Sequence, residues 1–187
     1  MVVAHAVLGR TLSPAPGALA TEIARVFDCV FGASHNAVMT GGAEEPLYVP
    51  ASGGAPAMLF FTRDHAASAL HEAAHWCIAG RGRRERVDYG YRYVLPPRTE
   101  AQRAAFFAAE VAVQALESVF AACVGLQFRI SADDFSATTE ERREFSVQVR
   151  RRALAVAQHG LPPRAALFAD ALQARFRRSG PDRGALE

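Results

Sequence analysis

The fold is organised around one stretch of sequence, His71-Glu72-Ala73-Ala74-His75-Trp76-Cys77-Ile78-Ala79-Gly80. Its two histidines are four positions apart, so on an α-helix both imidazoles lie on one face, one turn apart. They can then bind one metal ion together, with Glu72 on a flank of the same turn. A solvated helix face would show the same pattern, but the apolar neighbours leave these polar groups short of water and in need of a partner. We therefore predict a buried metal-binding helix that ends at Gly80.

A third metal ligand has to come from another part of the chain, because two histidines do not saturate a first-row metal. We expect Glu110 in this role. It lies in the middle of an apolar helical face, where an ionised carboxylate is costly unless it is paired or bound to a metal. Glu117, two turns further along the same face, is the main competitor. The alternative for Glu110 itself is an ordinary, partly exposed surface carboxylate.

Two imidazoles and one carboxylate suit two different chemistries. With Zn²⁺ they form a hydrolytic site in which water fills the fourth position and Glu72 is the general base. With Fe(II) they form a facial triad with open positions for dioxygen and a substrate. The ligand types are the same in both cases, so they do not separate the two.

Hydrophobic periodicity places this helix in an α+β chain. The pattern predicts helices flanking three short strands that are bounded by Gly and Pro, and the metal helix follows the third strand, with Asp64 as its N-cap. An aromatic alternation from Val87 to Tyr93 indicates a further strand or extended loop, and Thr99 caps a long helix. The predicted helices are 17–31, 64–79, 99–124, 140–158 and 163–177, and the predicted strands are 37–40, 47–49 and 58–62.

The chain has 187 residues, of which 50% are hydrophobic, and this suits one domain with a proper core. We expect a flexible arm at 1–17, a single metal-binding domain at 18–178 and a tail at 179–187. The net charge of +2 does not favour nucleic-acid binding as the main role. The three cysteines lack metal or disulfide spacing and are expected to be reduced and buried. No signal peptide or apolar run of membrane-spanning length is recognised, so we expect a soluble, cytoplasmic protein that binds no membrane.

The stretch 71–80 is followed closely by Arg83-Arg84-Glu85-Arg86-Val87-Asp88-Tyr89-Gly90-Tyr91. Together these two stretches closely resemble the elongation factor P hydroxylase family. Further similar stretches are Glu45-Pro46-Leu47-Tyr48-Val49-Pro50, Glu110-Val111-Ala112-Val113-Gln114-Ala115-Leu116, Gly160-Leu161-Pro162 and Leu172-Gln173. Together they extend over residues 21–178, most of the chain.

The resemblance implies a non-haem Fe(II) protein hydroxylase that uses dioxygen and acts on the β-lysylated lysine of elongation factor P. It implies that His71, His75 and Glu110 bind the metal, although zinc can occupy such a site in purified protein. It also implies a fold similar to that of a metal-dependent ribosome-maturation ribonuclease. Glu72 matches the motif, and we expect it to handle a proton or to support the ligands from outside rather than to hydrolyse a protein.

Several residues after the metal helix are candidates for substrate binding. Tyr89, Tyr91 and Tyr93 alternate and would share one face of a strand. We expect this face to pack against the core or its rim. The alternative is that the three rings stack along the substrate's lysine side chain. Asp88 could receive an amino group of the substrate or pair with a neighbouring Arg. A basic cluster could dock an acidic protein partner, or it could be a solvated face. This cluster consists of Arg81, Arg83, Arg84 and Arg86.

Three classes of function are therefore open. The favoured one is the iron-dependent hydroxylase. The second is a metal-dependent hydrolase, either a zinc peptidase or a ribonuclease. The third is a non-enzymatic protein with a structural zinc, but a fourth ligand at suitable spacing is lacking, because the Cys77 side chain should point away from the metal face.

Overall fold

The computed structural model describes residues 17–90, 99–131 and 137–177. Apart from Gly17, the expected arm and tail lie outside these residues, as do Tyr91 and Tyr93. Within the described ranges the order of elements is α+β, as predicted. The elements are α1 (Ala18–His35), β1 (Ala37–Ala43), β2 (Leu47–Val49), β3 (Ala57–Thr62), α2 (Ala66–Ile78), α3 (Arg81–Arg84), α4 (Glu100–Val124), α5 (Thr139–His159) and α6 (Pro163–Arg177), with a short turn, Val87–Gly90, between α3 and α4.

The three strands form one small sheet in the order β1-β3-β2. β1 runs parallel to β3, and β2 runs antiparallel to it. β1 does not end at Gly41-Gly42 as predicted but continues to Ala43, with a shift of register after Thr40. Gly41 allows this close pairing, because a Cβ there would lie 2.7 Å from the Arg63 carbonyl oxygen.

An aromatic cluster joins α1, α2 and α6 in the core. Trp76 is 1% exposed, and its ring centroid lies 4.5 Å from that of Phe31 and 5.3 Å from that of Phe27. Phe168 of α6 closes the cluster with an edge contact to Phe27 at 5.7 Å. This packing fixes one face of α2, so the histidines on another face turn towards α4.

The two ends of α2 differ from the prediction. The helix begins at Ala66, and His65 rather than Asp64 occupies the N-cap position, without a side-chain cap. Gly80 has φ −63° and does not adopt the left-handed conformation of a helix-ending glycine. Instead, Arg164 donates hydrogen bonds to the carbonyls of Trp76, Cys77 and Ala79, at 3.4, 3.0 and 2.6 Å. A cation from α6 therefore satisfies the carbonyls at the C-terminus of α2.

The long helix α4 begins and ends as predicted. Thr99 and Gln102 form a capping box at its start, and Gly125 ends it with φ 71°. Contrary to our expectation, α4 is long and apolar enough to cross a membrane, by length and composition only, and it is the one such helix in the described part of the chain. It packs against α2, α5 and α6, which accounts for its apolar composition.

The cysteines are free, but not all are buried. Cys77 is buried and Cys123 is partly buried, whereas Cys29 is exposed on α1, contrary to the prediction. Burial raises the pKa of the Cys77 thiol to about 12. Cys77 therefore keeps its proton at neutral pH and is a poor metal ligand.

Candidate metal centre

His71 and His75 of α2 meet Glu110 of α4 in one group whose ligand atoms all lie within 4.8 Å of one another. The two histidine Nε2 atoms are 3.2 Å apart. The Glu110 carboxylate reaches both of them, with Oε2 at 3.5 Å from His71 Nε2 and Oε1 at 3.4 Å from His75 Nε2. The packing of α2 against α4 therefore brings together the three residues that the sequence suggested.

These distances fit a single metal ion. Two ligand atoms bound at 2.0–2.1 Å with a tetrahedral angle between them are about 3.3 Å apart. The three separations in the group are 3.2, 3.4 and 3.5 Å, close to that value. Within the described residues the group has three ligands, which is the number that catalytic sites with an open coordination position use.

Glu117 lies on the far side of His71. Its Oε2 is 2.9 Å from His71 Nδ1, whereas the metal-facing atom of this imidazole is Nε2. With the proton on Nδ1, His71 donates a hydrogen bond to Glu117 and presents the Nε2 lone pair to a metal. Glu117, the competitor for the third ligand, therefore contacts the side of the His71 ring that faces away from His75 and Glu110.

The carboxylates around the group set its electrostatics. Burial of His71 would by itself lower the pKa of its imidazole, but the hydrogen bond with Glu117 and the charges of the other nearby carboxylates raise the pKa to about 9. Burial would raise the pKa of Glu110, but the hydrogen bond and charge of His75, with the charge of His71, lower it overall. Burial raises the pKa of Glu72. In the metal-free group the carboxylates therefore favour a proton on His71, which a bound metal would have to displace.

Metal affinity should depend on pH because of His71. A metal binds the deprotonated imidazole, so below about pH 9 it must displace one proton from His71. We expect the apparent affinity to fall about tenfold per pH unit as pH is lowered from 9 towards 7. Competition titration against a chromophoric chelator measures this. In Glu117→Gln the fall in affinity should begin at lower pH, because the hydrogen bond that raises the His71 pKa is weakened. If the affinity of the unaltered protein did not change between pH 9 and pH 7, His71 would not be a metal ligand.

Val87–Gly90 forms a left-handed turn rather than the predicted strand or extended loop. Asp88 and Tyr89 have φ of 47° and 56°, a conformation that non-glycine residues rarely adopt. An Asp88 carboxylate oxygen accepts a hydrogen bond from the Tyr48 backbone N–H at 2.9 Å. The Tyr89 ring stacks between His75 and Tyr48, at centroid distances of 5.9 and 4.2 Å. The turn therefore places Tyr89 against a residue of the metal group.

Tyr48 was not singled out from the sequence, although its strand was predicted. It is buried, and its hydroxyl donates a hydrogen bond to the Arg84 carbonyl at 2.8 Å. A tyrosine in a three-residue strand between prolines gives no local sign that it will support a turn that follows it by 40 residues. The resemblance did include it, in the stretch 45–50.

The basic cluster is divided by the structure. The Arg84 guanidinium lies over the Trp76 ring at 5.3 Å and is partly buried. Arg81 pairs with Glu85 at 3.3 Å on the surface. Arg83 and Arg86 are exposed. Arg84 therefore packs against the core cluster, and the others remain on the outside.

A model of the elongation factor P hydroxylase family matches residues 26–184 of the chain. The elongation factor P lysine hydroxylase of Haemophilus influenzae is 35% identical over 156 residues, which cover 83% of this chain and 88% of that protein. The chain belongs to the elongation factor P hydroxylase family. The family resemblance that we noted from the sequence is therefore confirmed. The group of His71, His75 and Glu110, together with Glu117 and Tyr89, lies inside the matched region of this hydroxylase family member.

Proposed function

We propose that this protein hydroxylates the β-lysylated lysine of elongation factor P, with Fe(II) at His71, His75 and Glu110 and dioxygen as co-substrate. The observation that carries the proposal is the convergence of these three side chains inside the region that matches the family. Two histidines and one carboxylate with open positions are the ligand set of non-haem iron oxygenases. Fe(II) held there supplies the activation of dioxygen that hydroxylation of a C–H bond needs.

The protein's own residues prepare this site. His71, His75 and Glu110 would hold the metal, and Glu117 keeps the His71 ring in the orientation and tautomer that binding needs. Glu72 is buried beside the two histidines and is our candidate for a further catalytic group that handles a proton or supports the ligands. Asp88 and Tyr89, with Tyr91 outside the described residues, are the candidates for contact with the substrate side chain.

Mass spectrometry of β-lysylated elongation factor P tests the proposal. After incubation with the iron-loaded protein, dioxygen and a reductant, we expect the substrate to gain one oxygen atom. The zinc-loaded protein and an anaerobic reaction are the controls and should give no gain, because zinc has no redox chemistry. Hydroxylation that proceeds equally well with zinc and without dioxygen would refute the proposal.

A metal-dependent hydrolase is the second candidate, and the position of Glu72 next to the first histidine is the observation that favours it. In a zinc peptidase or ribonuclease this carboxylate would activate a metal-bound water. Cleavage of a peptide or RNA by the zinc-loaded protein would support it. A structural zinc site is less well supported, because the described residues offer three ligands in the group and a closed site needs four.

The proposed substrate is a translation factor, so we place the reaction in the cytoplasm. Elongation factor P is then the macromolecular partner, and direct contacts with nucleic acid or a membrane are not part of the proposal. The small net charge of +2 is consistent with a protein partner that binds to one charged region of the surface.

Exposed arginines near α3 should assist docking of the partner. Reversing Arg83 and Arg86 to Glu should raise the apparent KM several-fold at low salt and leave kcat nearly unchanged, because exposed rim charges act mainly on the association rate. Arg84, which belonged to the cluster predicted from the sequence, is left unaltered because it packs on Trp76. Steady-state kinetics at two salt concentrations measure the effect.

The matched control is the reversal of Arg151 and Arg152, two exposed arginines on α5. This variant changes the net charge by the same amount away from α3. If both variants had equal effects on KM, the cause would be the overall charge of the protein. If KM at low salt did not change in the Arg83 and Arg86 variant, these two residues would be solvent-exposed charges without a role in docking.

A further inference from the structure

Two buried polar groups beside the metal centre lack a partner among the described residues. Glu72 is 8% exposed and makes neither a hydrogen bond nor an ion pair there. Tyr89 is 5% exposed, and its hydroxyl has no hydrogen-bond partner in the part of the chain that the structure describes. Burying a polar group without a partner costs free energy, and such groups in folded proteins usually have a reason to be there. A ligand that satisfies both is the simplest reason.

Glu72 and Tyr89 lie close enough together to share one ligand. Glu72 and His75 are three positions apart on α2, so their side chains are neighbours on the helix surface. Glu72 stands next to His71 in the chain, and the Tyr89 ring stacks on the His75 ring at 5.9 Å. A group bound by both would therefore lie at the edge of the metal centre.

The position of Tyr89 is held from several sides. Its backbone is in the left-handed region with φ 56°, which costs energy for a tyrosine and persists only where the surroundings impose it. Asp88 ties the turn to the Tyr48 N–H, and the Tyr48 ring stacks on the Tyr89 ring at 4.2 Å. Tyr48 in turn donates its hydroxyl hydrogen bond to the Arg84 carbonyl. The phenol is thus placed before a ligand arrives.

The charge around these groups selects a cation. The neighbouring charges that act on Glu72 are the two histidines, Glu110 and Asp88. A metal at His71, His75 and Glu110 would engage these three side chains and leave the acidic side chains of Glu72 and Asp88 beside it. A primary ammonium group has three donors and no acceptor, which suits a carboxylate and a phenol oxygen together.

We propose that the Glu72 carboxylate and the Tyr89 hydroxyl form a subsite for a primary ammonium group of the substrate side chain. The subsite rests on the proposed function, since it orients an amine-bearing side chain next to the metal. On binding, the ammonium donates one hydrogen bond to a Glu72 carboxylate oxygen and another to the phenol oxygen of Tyr89. Glu72 and Tyr89 thereby select a charged amine over a neutral or anionic side chain.

Binding to the zinc-loaded protein tests the subsite without turnover. The probes are a peptide that carries a β-lysylated lysine and the same peptide with its side-chain amines acetylated, and calorimetry gives the two dissociation constants. A charge-assisted hydrogen bond lost without replacement costs about tenfold or more in affinity. We expect the unaltered protein to prefer the amine peptide by at least about tenfold. Glu72→Gln should abolish the preference and Tyr89→Phe should reduce it, with metal content unchanged in both.

Glu85→Gln is the matched control, because it makes the same chemical change at an exposed position outside the site. It should keep the preference. Equal binding of both peptides to the unaltered protein would overturn the proposal, as would a preference that survives Glu72→Gln. A second metal equivalent that is lost in Glu72→Gln would also overturn it and assign Glu72 to a metal instead.

The two proposals fail in different ways. If the iron-loaded protein hydroxylates elongation factor P but the peptide preference is absent, the subsite is wrong and the proposed function stands. If no hydroxylation occurs under any condition, the proposed function is wrong. The binding preference for the amine peptide would still show whether Glu72 and Tyr89 bind an ammonium group.

Discussion

Glu110→Ala should lose bound metal and all hydroxylase activity, whereas Glu117→Ala should retain metal at about 10–100-fold lower affinity. Glu110 has an oxygen at 3.4–3.5 Å from each histidine Nε2, so it would contribute a ligand atom. Glu117 reaches Nδ1 of His71 and would act on the metal only through that ring. Metal content by atomic emission and affinity by chelator competition distinguish the two variants. His71→Ala and His75→Ala should behave like Glu110→Ala.

Glu117→Gln is the control for this comparison. A glutamine oxygen can still accept the His71 Nδ1–H hydrogen bond, so the loss in affinity should be smaller than in Glu117→Ala. If Glu110→Ala kept its full metal content while Glu117→Ala lost it, the third ligand would be Glu117.

Trp76→Ala should lower the free energy of unfolding by about 3–5 kcal/mol, a large part of the stability of a domain of this size. The side chain is 1% exposed and touches aromatic rings of α1, and two guanidinium groups lie over its own ring, those of Arg84 at 5.3 Å and Arg164 at 5.2 Å. Rings and guanidinium groups from different helices meet at this side chain, so we expect the helices to close the resulting cavity only in part. Urea unfolding followed by circular dichroism measures the change.

Trp76→Phe keeps an aromatic ring at the same place and should cost clearly less. Comparing Trp76→Ala with Trp76→Phe shows how much of the lost stability comes from the missing aromatic packing and how much from the missing indole itself. A loss below about 1 kcal/mol in Trp76→Ala would show that the cluster can repack and that α2 is held by other contacts.

The helices and strands were predicted well where local patterns specify them. The predicted helices 140–158 and 163–177 lie within one residue of the observed ends of α5 and α6, and Thr99 was correctly predicted to cap α4. Each of these signals acts between residues that are close in the chain. The three strands were found in the same way, from short apolar runs between glycines and prolines.

The prediction was wrong where distant contacts decide the conformation. The segment from Val87 was predicted as a strand or extended loop from its alternating tyrosines. The hydrogen bond from the Tyr48 N–H to Asp88 and the packing of Tyr89 on His75 instead impose a left-handed turn. The end of α2 was assigned to Gly80, yet the carbonyls there are satisfied by Arg164 from α6. Neither contact has a signature in the neighbouring sequence.

The candidate metal group shows the same division. The sequence by itself determined that His71 and His75 share a helix face, because their spacing equals about one helical turn. It also marked Glu110 and Glu117 as carboxylates on the apolar face of one helix. Only the tertiary structure decided which of them meets both Nε2 atoms, because that depends on how α2 and α4 pack side by side. Helix packing is set by side chains from the whole core, and local periodicity carries no information about it.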